Sequence, residues 1–203
     1  MRSKPPSRSP ILERGLNPSR DVYVHNRGDG WRLYTNGYRL AADHLITEAE
    51  SHMPALGQAN ALLYPIVFLY RQHLELMLKY IILVGRRLKH ETTQPPRDHR
   101  LRVLWGKSKS VMREQSISVS SVDRDQVDKV INELDGLDPS SDLFRYPLNK
   151  TAKFPFPDDL RQFSLSLFGA KLRAASDVLR KIADLLDADL ELGREFYYDL
   201  YGG

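Results

Sequence analysis

The sequence predicts an all-α protein: an antiparallel bundle of about five helices, with a long aromatic and proline-rich loop before the last helix. The first observation is a long apolar stretch, residues 59–88, that contains no glycine before Gly85. The second is that apolar residues elsewhere recur at spacings of three and four, which is the period of an α-helix. The third is that no segment alternates apolar and polar residues for long, as a half-buried strand would.

The stretch from Ala59 to Leu88 is predicted to be one long, buried, central helix. Its one proline, Pro65, stands near the predicted start, where a helix tolerates proline best. At about 100° per residue, two apolar rows run side by side: Ile66, Tyr70, His73, Met77, Tyr80 and Val84, and Leu62, Leu69, Leu76 and Leu83. The remaining strip is polar and allows pairing between residues four apart: Arg71, Glu75, Lys79 and Arg86. Its charges exclude a membrane span.

The first helix is predicted from Trp31 to about Met53, where Pro54 ends it. Its apolar residues follow a spacing of three and four, which defines a core face. The members of that face are Trp31, Tyr34, Tyr38, Ala41 and Leu45.

Two shorter helices follow the central one. Asp98 is a plausible N-cap for the first of them, which carries Leu101, Leu104, Trp105 and Met112. Ser121 is the predicted cap of the second, which carries Val127, Val130, Ile131, Leu134 and Leu137 and ends at Gly136 and Pro139.

The segment from Asp138 to Pro157 contains four prolines and cannot be a regular helix. Its aromatic residues predict a loop that packs onto the bundle: Phe144, Tyr146, Phe154 and Phe156. A last long helix is predicted to begin at a capping Asp158. Its predicted core stripe is Leu160, Phe163, Leu167, Ala170, Ala174, Val178, Ile182 and Leu185.

Charge is unevenly distributed along the chain. Residues 1–20 hold five basic residues and one acidic residue, which accounts for the net charge of +4. We therefore predict a basic arm rich in Pro, Ser and Arg at 1–28, a helical bundle at 29–188, and an acidic, aromatic tail at 189–203. Within the bundle, residues 86–113 hold nine basic and two acidic residues, and residues 123–142 hold seven acidic and two basic ones. The basic segment either faces phosphates or pairs with the acidic one.

Several classes of chemistry are excluded by residues that are missing. The chain has no cysteine, which excludes disulfides and thiol catalysis and favours a cytoplasmic location. The first residues lack the apolar core of a secretory signal. No phosphate loop, dinucleotide fingerprint or metalloprotease motif is present, and the six histidines do not stand at metal-binding spacings. We expect no cofactor and no metal.

Four blocks of sequence carry a resemblance to a known family. They are WRLYTNGYRLAADHL from Trp31, YPIVFLYRQHLELMLKYII from Tyr64, HRLRVLW from His99 and SDLFRYP from Ser141. In this combination, from Trp31 to about Asp187, the chain resembles the HEPN-like helical domains of bacteria. The resemblance implies a bundle that usually dimerises, with many members acting as metal-independent ribonucleases in toxin–antitoxin or phage-defence settings.

The family's catalytic signature is an arginine followed four to six residues later by a histidine. Here it occurs only as Arg20 to His25 and Arg39 to His44, away from the family's position. The resemblance instead brings together one group of Arg, His and Tyr residues: Arg71, His73, His99, Arg145 and Tyr146. Of these, the candidate catalytic residues are Arg71, His73, Arg145 and Tyr146. The candidate nucleic-acid-binding residues are Arg86, Arg87, Lys89, Arg97, His99, Arg100 and Arg102.

Each candidate has a structural alternative. Arg145 can be a clamp that bonds helix-end carbonyls or Glu75, because guanidinium offers several donors. His73 can be a hydrogen-bonded core histidine, since it falls on an apolar face, and His99 can be a polar residue at a helix start.

The sequence leaves two alternative functions open. The first is a HEPN-like RNA-associated protein, with RNA, a second copy of the chain and a cognate antitoxin or defence protein as partners, and no membrane. Its chemistry would be metal-independent RNA cleavage. The second is a non-catalytic helical module that dimerises or docks a partner protein.

Overall fold

The computed structural model describes Ser19 and residues 30–51, 56–91, 94–139, 141, 143–147, 156–157 and 162–201. Contacts divide the chain into two units, Met1–Gly30 and Trp31–Gly203. Apart from Ser19, the predicted arm at 1–28 lies outside the described residues, as do Met53, Pro54, Phe154, Asp158 and Leu160.

The second unit is an all-α bundle, as predicted. Its helices are α1 (Trp31–Ser51), α2 (Leu56–Leu88), α3 (Leu101–Glu114), α4 (Ser121–Leu137) and α5 (Leu165–Tyr201), with one short 3-10 turn at Leu143–Arg145. No strand occurs in the described ranges. Helix α2 is central and contacts α1, α3, α5 and the 3-10 turn, while α4 packs against α3 and α5.

Helix α2 begins at Leu56, three residues before the predicted start. Pro65 therefore lies more than two turns inside the helix, where it removes one backbone donor. The first apolar row of α2 is buried throughout. In the second row only Leu83 is buried, and its other members are half-buried. The core also takes three large residues of α2 that belong to neither row: Leu74, Leu78 and Ile81. The polar strip is covered as well, because Arg71, Glu75 and Lys79 are all buried.

The buried face of α1 differs from the predicted one by about one residue. The structure buries Thr35, Ala42, Ile46 and Ala49. Tyr34 and Ala41, both assigned to the core from the sequence, are exposed. Arg32 and Arg39 lie beside this buried face and pair with Asp187 and Asp177 of α5, contacts that the apolar pattern of α1 does not indicate.

The predicted caps are each displaced. Arg100 occupies the N-cap position of α3 without a side-chain cap, and Asp98 bonds Arg100 instead. Ser120, not Ser121, caps α4 by accepting from the Asp123 N–H. Helix α5 begins at Leu165, where the Ser164 Oγ accepts from the Leu167 N–H at 3.3 Å.

The core stripe of α5 also differs from the prediction. Phe163 precedes the helix, and Leu167 and Leu185 are exposed, although Val178 and Ile182 are buried as expected. The observed stripe keeps the heptad spacing that a helix packed on helices requires: Leu165, Leu172, Ala175, Leu179, Ile182 and Leu186. The helix continues to Tyr201, so the predicted tail boundary at residue 188 falls inside a helix.

Helices α2 and α3 approach closely at Gly85. A Cβ atom at Gly85 would clash with Cγ1 of Val111, a core residue. We expect Gly85→Ala to lower the free energy of unfolding by about 1 kcal/mol, because overpacking outweighs the gain in helix propensity. Gly106→Ala is the matched control, since nothing lies within 4 Å of a Cβ there, and it should raise stability slightly. A thermal melt in which both variants gain equally would contradict this packing.

Candidate functional site

The side chain of Glu75 lies at the centre of a buried group of charges on α2. Its Oε2 accepts from Nη1 of Arg71 at 3.1 Å, and its Oε1 lies 2.9 Å from Nζ of Lys79. The i,i+4 pairing expected from the sequence is therefore present. The third partner is His99, whose Nδ1 lies 2.8 Å from Oε1 of Glu75. We call Arg71, Glu75, Lys79 and His99 the Glu75 cluster.

Arg71 joins three segments of the chain. Beyond Glu75, its Nη2 donates to the backbone carbonyl of His99 at 2.9 Å, and its Nε donates to the carbonyl of Asp138 at 3.0 Å. The Asp138 carboxylate in turn accepts from the Leu143 N–H at 3.2 Å, at the start of the 3-10 turn. Arg71 is only 1% exposed. It thus has the clamping geometry that the sequence suggested for Arg145.

Arg145 and Tyr146 lie at the surface, immediately after this fixed point. Both residues are exposed, and the Arg145 guanidinium lies 5.7 Å from the centre of the Tyr146 ring. Arg71 therefore holds both His99, which precedes the N-cap of α3, and the segment that leads to Arg145. The structure brings Arg71, His99 and the Arg145 segment to one region of the bundle.

His99 is the exposed member of the Glu75 cluster. Its side chain is 61% exposed while that of Glu75 is 3% exposed. An ionised carboxylate only accepts hydrogen bonds, so Nδ1 of His99 carries the proton in this pair and Nε2 of a neutral ring holds a lone pair. An imidazole fixed by a carboxylate in this way is the usual arrangement of a histidine base.

Arginines flank His99 in sequence and differ in their pairing. Arg100 is chelated by Asp98, with Nε and Nη2 at 3.0 and 2.8 Å from the carboxylate. The side chain and backbone N–H of Arg100 hold the pKa of the Asp98 carboxyl well below its usual range. Arg97 is exposed and forms no ion pair within the described part of the chain.

His73 lies on another side of α2. It follows Arg71 by two residues, which is about 200° around a helix, and its Nδ1 donates to the Thr35 carbonyl of α1 at 2.8 Å. The imidazole is buried, and its Nε2 has no hydrogen-bond partner. Burial, as the largest cause, lowers the pKa of His73 to about 4. The structure therefore separates His73 from the Glu75 cluster.

The basic and acidic segments partly face each other, as one of the sequence alternatives stated. Arg102 donates to the Asn132 carbonyl at 2.9 Å and lies 3.7 Å from Asp135. Asp128 accepts from both Lys109 and the Trp105 indole. These contacts join α3 to α4.

The other basic candidates also have local partners. Lys89 lies 2.8 Å from Glu114, and Arg86 donates to the Gln94 carbonyl at 3.1 Å. Arg87 is half-buried and also has a partner. The positive surface available to a phosphate backbone is therefore smaller than the sequence count suggests.

Sequence reasoning did not identify Glu75, Asp98 or Asp138 as parts of a site. The spacing of Glu75 from Arg71 and Lys79 was a usable signal for pairing. Nothing in the local sequence indicated that His99, 24 residues away, would complete the group.

An apolar groove of about 680 Å³ lies between α4 and the start of α5. Its lining includes Leu134, Leu137, Phe156, Phe163, Phe168 and Leu172. The three phenylalanines form a continuous row, with ring centres 5.8 and 5.5 Å apart.

Two kinds of feature are absent from the described part of the chain. In the described ranges, no three histidine or carboxylate side chains gather as they would to bind a metal ion. Nor does any helix in that part of the chain have the length and apolar content needed to cross a membrane.

Comparison with known proteins leaves the class of this chain open. No protein-family model, no curated protein and no solved structure matches it.

Proposed function

We propose that this protein is a HEPN-like, RNA-associated protein of the bacterial toxin–antitoxin or phage-defence type, and that it cleaves RNA without a metal ion in the cytoplasm. The observation that carries the proposal is the pair formed by the exposed imidazole of His99 and the buried carboxylate of Glu75. Such a pair supplies a base that is held in one orientation and one tautomer.

In the proposed reaction, Nε2 of His99 takes the proton of a ribose 2′-OH. The resulting oxygen forms a bond to the adjacent phosphorus while the bond from phosphorus to the 5′ oxygen breaks. The imidazolium then returns its proton to the 5′ oxygen, which leaves a 2′,3′-cyclic phosphate and a 5′ hydroxyl. The atoms and electrons of this reaction balance without an oxidant, a metal or a cofactor.

The arginines take two different roles in this scheme. Arg145, exposed and packed on the Tyr146 ring, holds the non-bridging phosphoryl oxygens. Arg71 is a positioning residue, because its donors already serve Glu75, Asp138 and His99. His73 is a core residue in this scheme. Arg97 contributes positive charge next to the base, whereas the charge of Arg100 is neutralised by Asp98.

The test is cleavage of labelled structured RNA by the purified protein in excess EDTA. We expect cyclic phosphate ends, and a loss of roughly 100-fold or more in His99→Gln and in Arg145→Ala, as removal of a general base or a charge stabiliser causes. His44→Gln and Arg124→Ala are matched controls, since both residues are exposed on helices away from the cluster. Cleavage that persists in folded His99→Gln would contradict the proposed base.

A second candidate is a non-catalytic module that docks a partner protein. The groove between α4 and α5 favours it, because exposed aromatic and aliphatic side chains gather there beside the acidic α4. A folded wild-type protein that does not cut RNA even at high concentration would support this function over the first.

A further inference from the structure

The nine basic residues of the segment 86–113 differ in whether they have partners inside the chain. Six of them do: Arg86, Arg87, Lys89, Arg100, Arg102 and Lys109. The other three are exposed and form no ion pair within the described ranges: Arg97, Lys107 and Arg113. The positive charge that remains for a phosphate therefore lies next to His99 and on α3.

Lys107 and Arg113 lie on the side of α3 that faces away from the bundle. The buried side holds Leu101, Leu104, Trp105, Ser108, Val111 and Met112. At about 100° per residue, Gly106 and Ser110 stand between Lys107 and Arg113 on the opposite side. Nothing lies within 4 Å of a Cβ atom at Gly106, so a strand of nucleic acid can approach the helix backbone there. We call Gly106, Lys107, Ser110 and Arg113 the α3 surface.

The guanidinium of Arg113 is positioned but not neutralised. Its Nη2 donates to Oγ of Ser110 at 3.0 Å, and that hydroxyl donates to the Gly106 carbonyl at 3.3 Å. Because Ser110 is uncharged, Arg113 keeps its full positive charge. The one acidic residue of α3, Glu114, pairs with Lys89 at 2.8 Å instead. The α3 surface therefore carries two positive charges and no negative one.

The α3 surface leads away from His99, which stands immediately before the N-cap of α3. Lys107 is the nearer cation, and its charge adds to the larger effect of Arg100 in lowering the pKa of the Asp98 carboxyl. At a rise of 1.5 Å per residue, Lys107 and Arg113 lie roughly 9 and 18 Å along the axis from the start of the helix. A stacked strand carries one phosphate per roughly 3.4 Å. The two cations are therefore about three and about five phosphates away from a strand held at His99.

We propose that the RNA strand cleaved at His99 continues along the α3 surface, where Lys107 and Arg113 bind its phosphates. The inference rests on the proposed ribonuclease and names its substrate class: a stacked RNA strand with about five or more nucleotides on one side of the cleaved bond. Two observations favour nucleic acid as the occupant. The positive charges of the α3 surface are not neutralised within the described part of the chain, and the surface is continuous with the exposed imidazole of His99.

The first test measures binding without cleavage. The probe is a labelled strand of about 12 nucleotides of 2′-O-methyl RNA, which covers α3 in either direction and lacks the attacking hydroxyl. Each lost phosphate contact lowers the slope of log Kd against log salt concentration by about 0.7, so Lys107→Ala/Arg113→Ala should lower it by about 1.4. Lys171→Ala/Lys181→Ala removes the same charge from exposed positions on α5 and should leave the slope unchanged. Equal slopes in the two double variants would overturn the proposal.

Both double variants replace exposed helical residues with the best helix former, so loss of folding does not confuse the result. A polyglutamate peptide is the second probe for the same variants. If the wild type bound polyglutamate more tightly than the strand, the α3 surface would be a contact for an acidic protein and the proposal would be wrong.

The second test uses strands with a single ribose among 2′-O-methyl nucleotides, which fixes the position of the cleaved bond. Their kcat/KM should rise as nucleotides are added on one side, up to about five. Arg113→Ala should remove only the gain from the last of these nucleotides, whereas Lys181→Ala should keep the whole gain. Cleavage that does not respond to strand length would overturn the path along α3 and leave the ribonuclease standing. The predicted loss of salt slope in a protein that does not cleave would support the path and overturn the ribonuclease alone.

Discussion

Arg71→Met is expected to lower the free energy of unfolding by about 3 kcal/mol or more, the usual cost of breaking a buried ion pair on one side. Arg71 is 1% exposed, and its loss would leave the buried carboxylates of Glu75 and Asp138 with fewer compensating charges. For a unit of this size the melting temperature should fall by roughly 10 °C. Urea unfolding followed by circular dichroism would measure the change.

Arg100→Met is the matched control for Arg71→Met. Arg100 also pairs with a carboxylate, but its side chain is 60% exposed, so water replaces the lost partner and little stability should change. Adding Glu75→Gln to Arg71→Met should recover part of the loss, because it removes the stranded charge. Equal losses in Arg71→Met and Arg100→Met would show that the Glu75 cluster is not the buried network described above.

Acid is expected to destabilise the protein through His73. The pKa of its imidazole falls from an ordinary 6.5 to about 4 in the folded chain, because the ring is buried and a proton on Nε2 would meet no acceptor. The hydrogen bond to the Thr35 carbonyl and the charge of Asp43 act to raise this pKa, while the positive charges of Arg39 and Arg180 add to its lowering. The fold therefore favours the neutral ring.

The sign of the pH dependence follows from this shift. The stability contributed by the neutral ring is complete above pH 6.5 and is lost as the pH falls from 6.5 through 4. The shift of His73 corresponds to about 3 kcal/mol in total. Unfolding free energies measured at pH 7 and at about pH 4.5 should show most of that loss in the wild type and much less of it in His73→Gln.

His44→Gln is the control for the acid experiment. His44 is exposed on α1, so this variant should keep the full pH dependence of the wild type. An independent measurement is the titration of the His73 ring protons by NMR, which should show no protonation above about pH 5. A ring that titrates near pH 6.5 in the folded protein would contradict the buried position of His73.

The all-helical class and the central helix could be predicted because they depend on local patterns. Apolar residues at a period of 3.6 define a helix wherever it packs. The pairing of Arg71, Glu75 and Lys79 is equally local, because residues four apart meet on any helix. The predicted start of α2 is only three residues late, because the exact ends of a helix depend weakly on the spacing of its apolar residues.

The registers of α1 and α5 could not be predicted in the same way. Arg32 and Arg39 are charged, and a sequence pattern places charged residues toward solvent. In the fold they pair with Asp187 and Asp177 on α5 and lie beside the buried face of α1, while Tyr34 is exposed. That outcome depends on carboxylates more than 130 residues away in the chain.

The sequence by itself determined that the fold is all-helical, which helix is central and which of its charges can pair. Only the tertiary structure decided that the loop before α3 covers one side of α2 while α1 covers another. That choice gives Glu75 the ring of His99 as a partner and gives His73 the carbonyl of Thr35. The physical reason is that hydrogen bonds between distant residues depend on which helix faces pack together, whereas the helices themselves depend on their own periodicity.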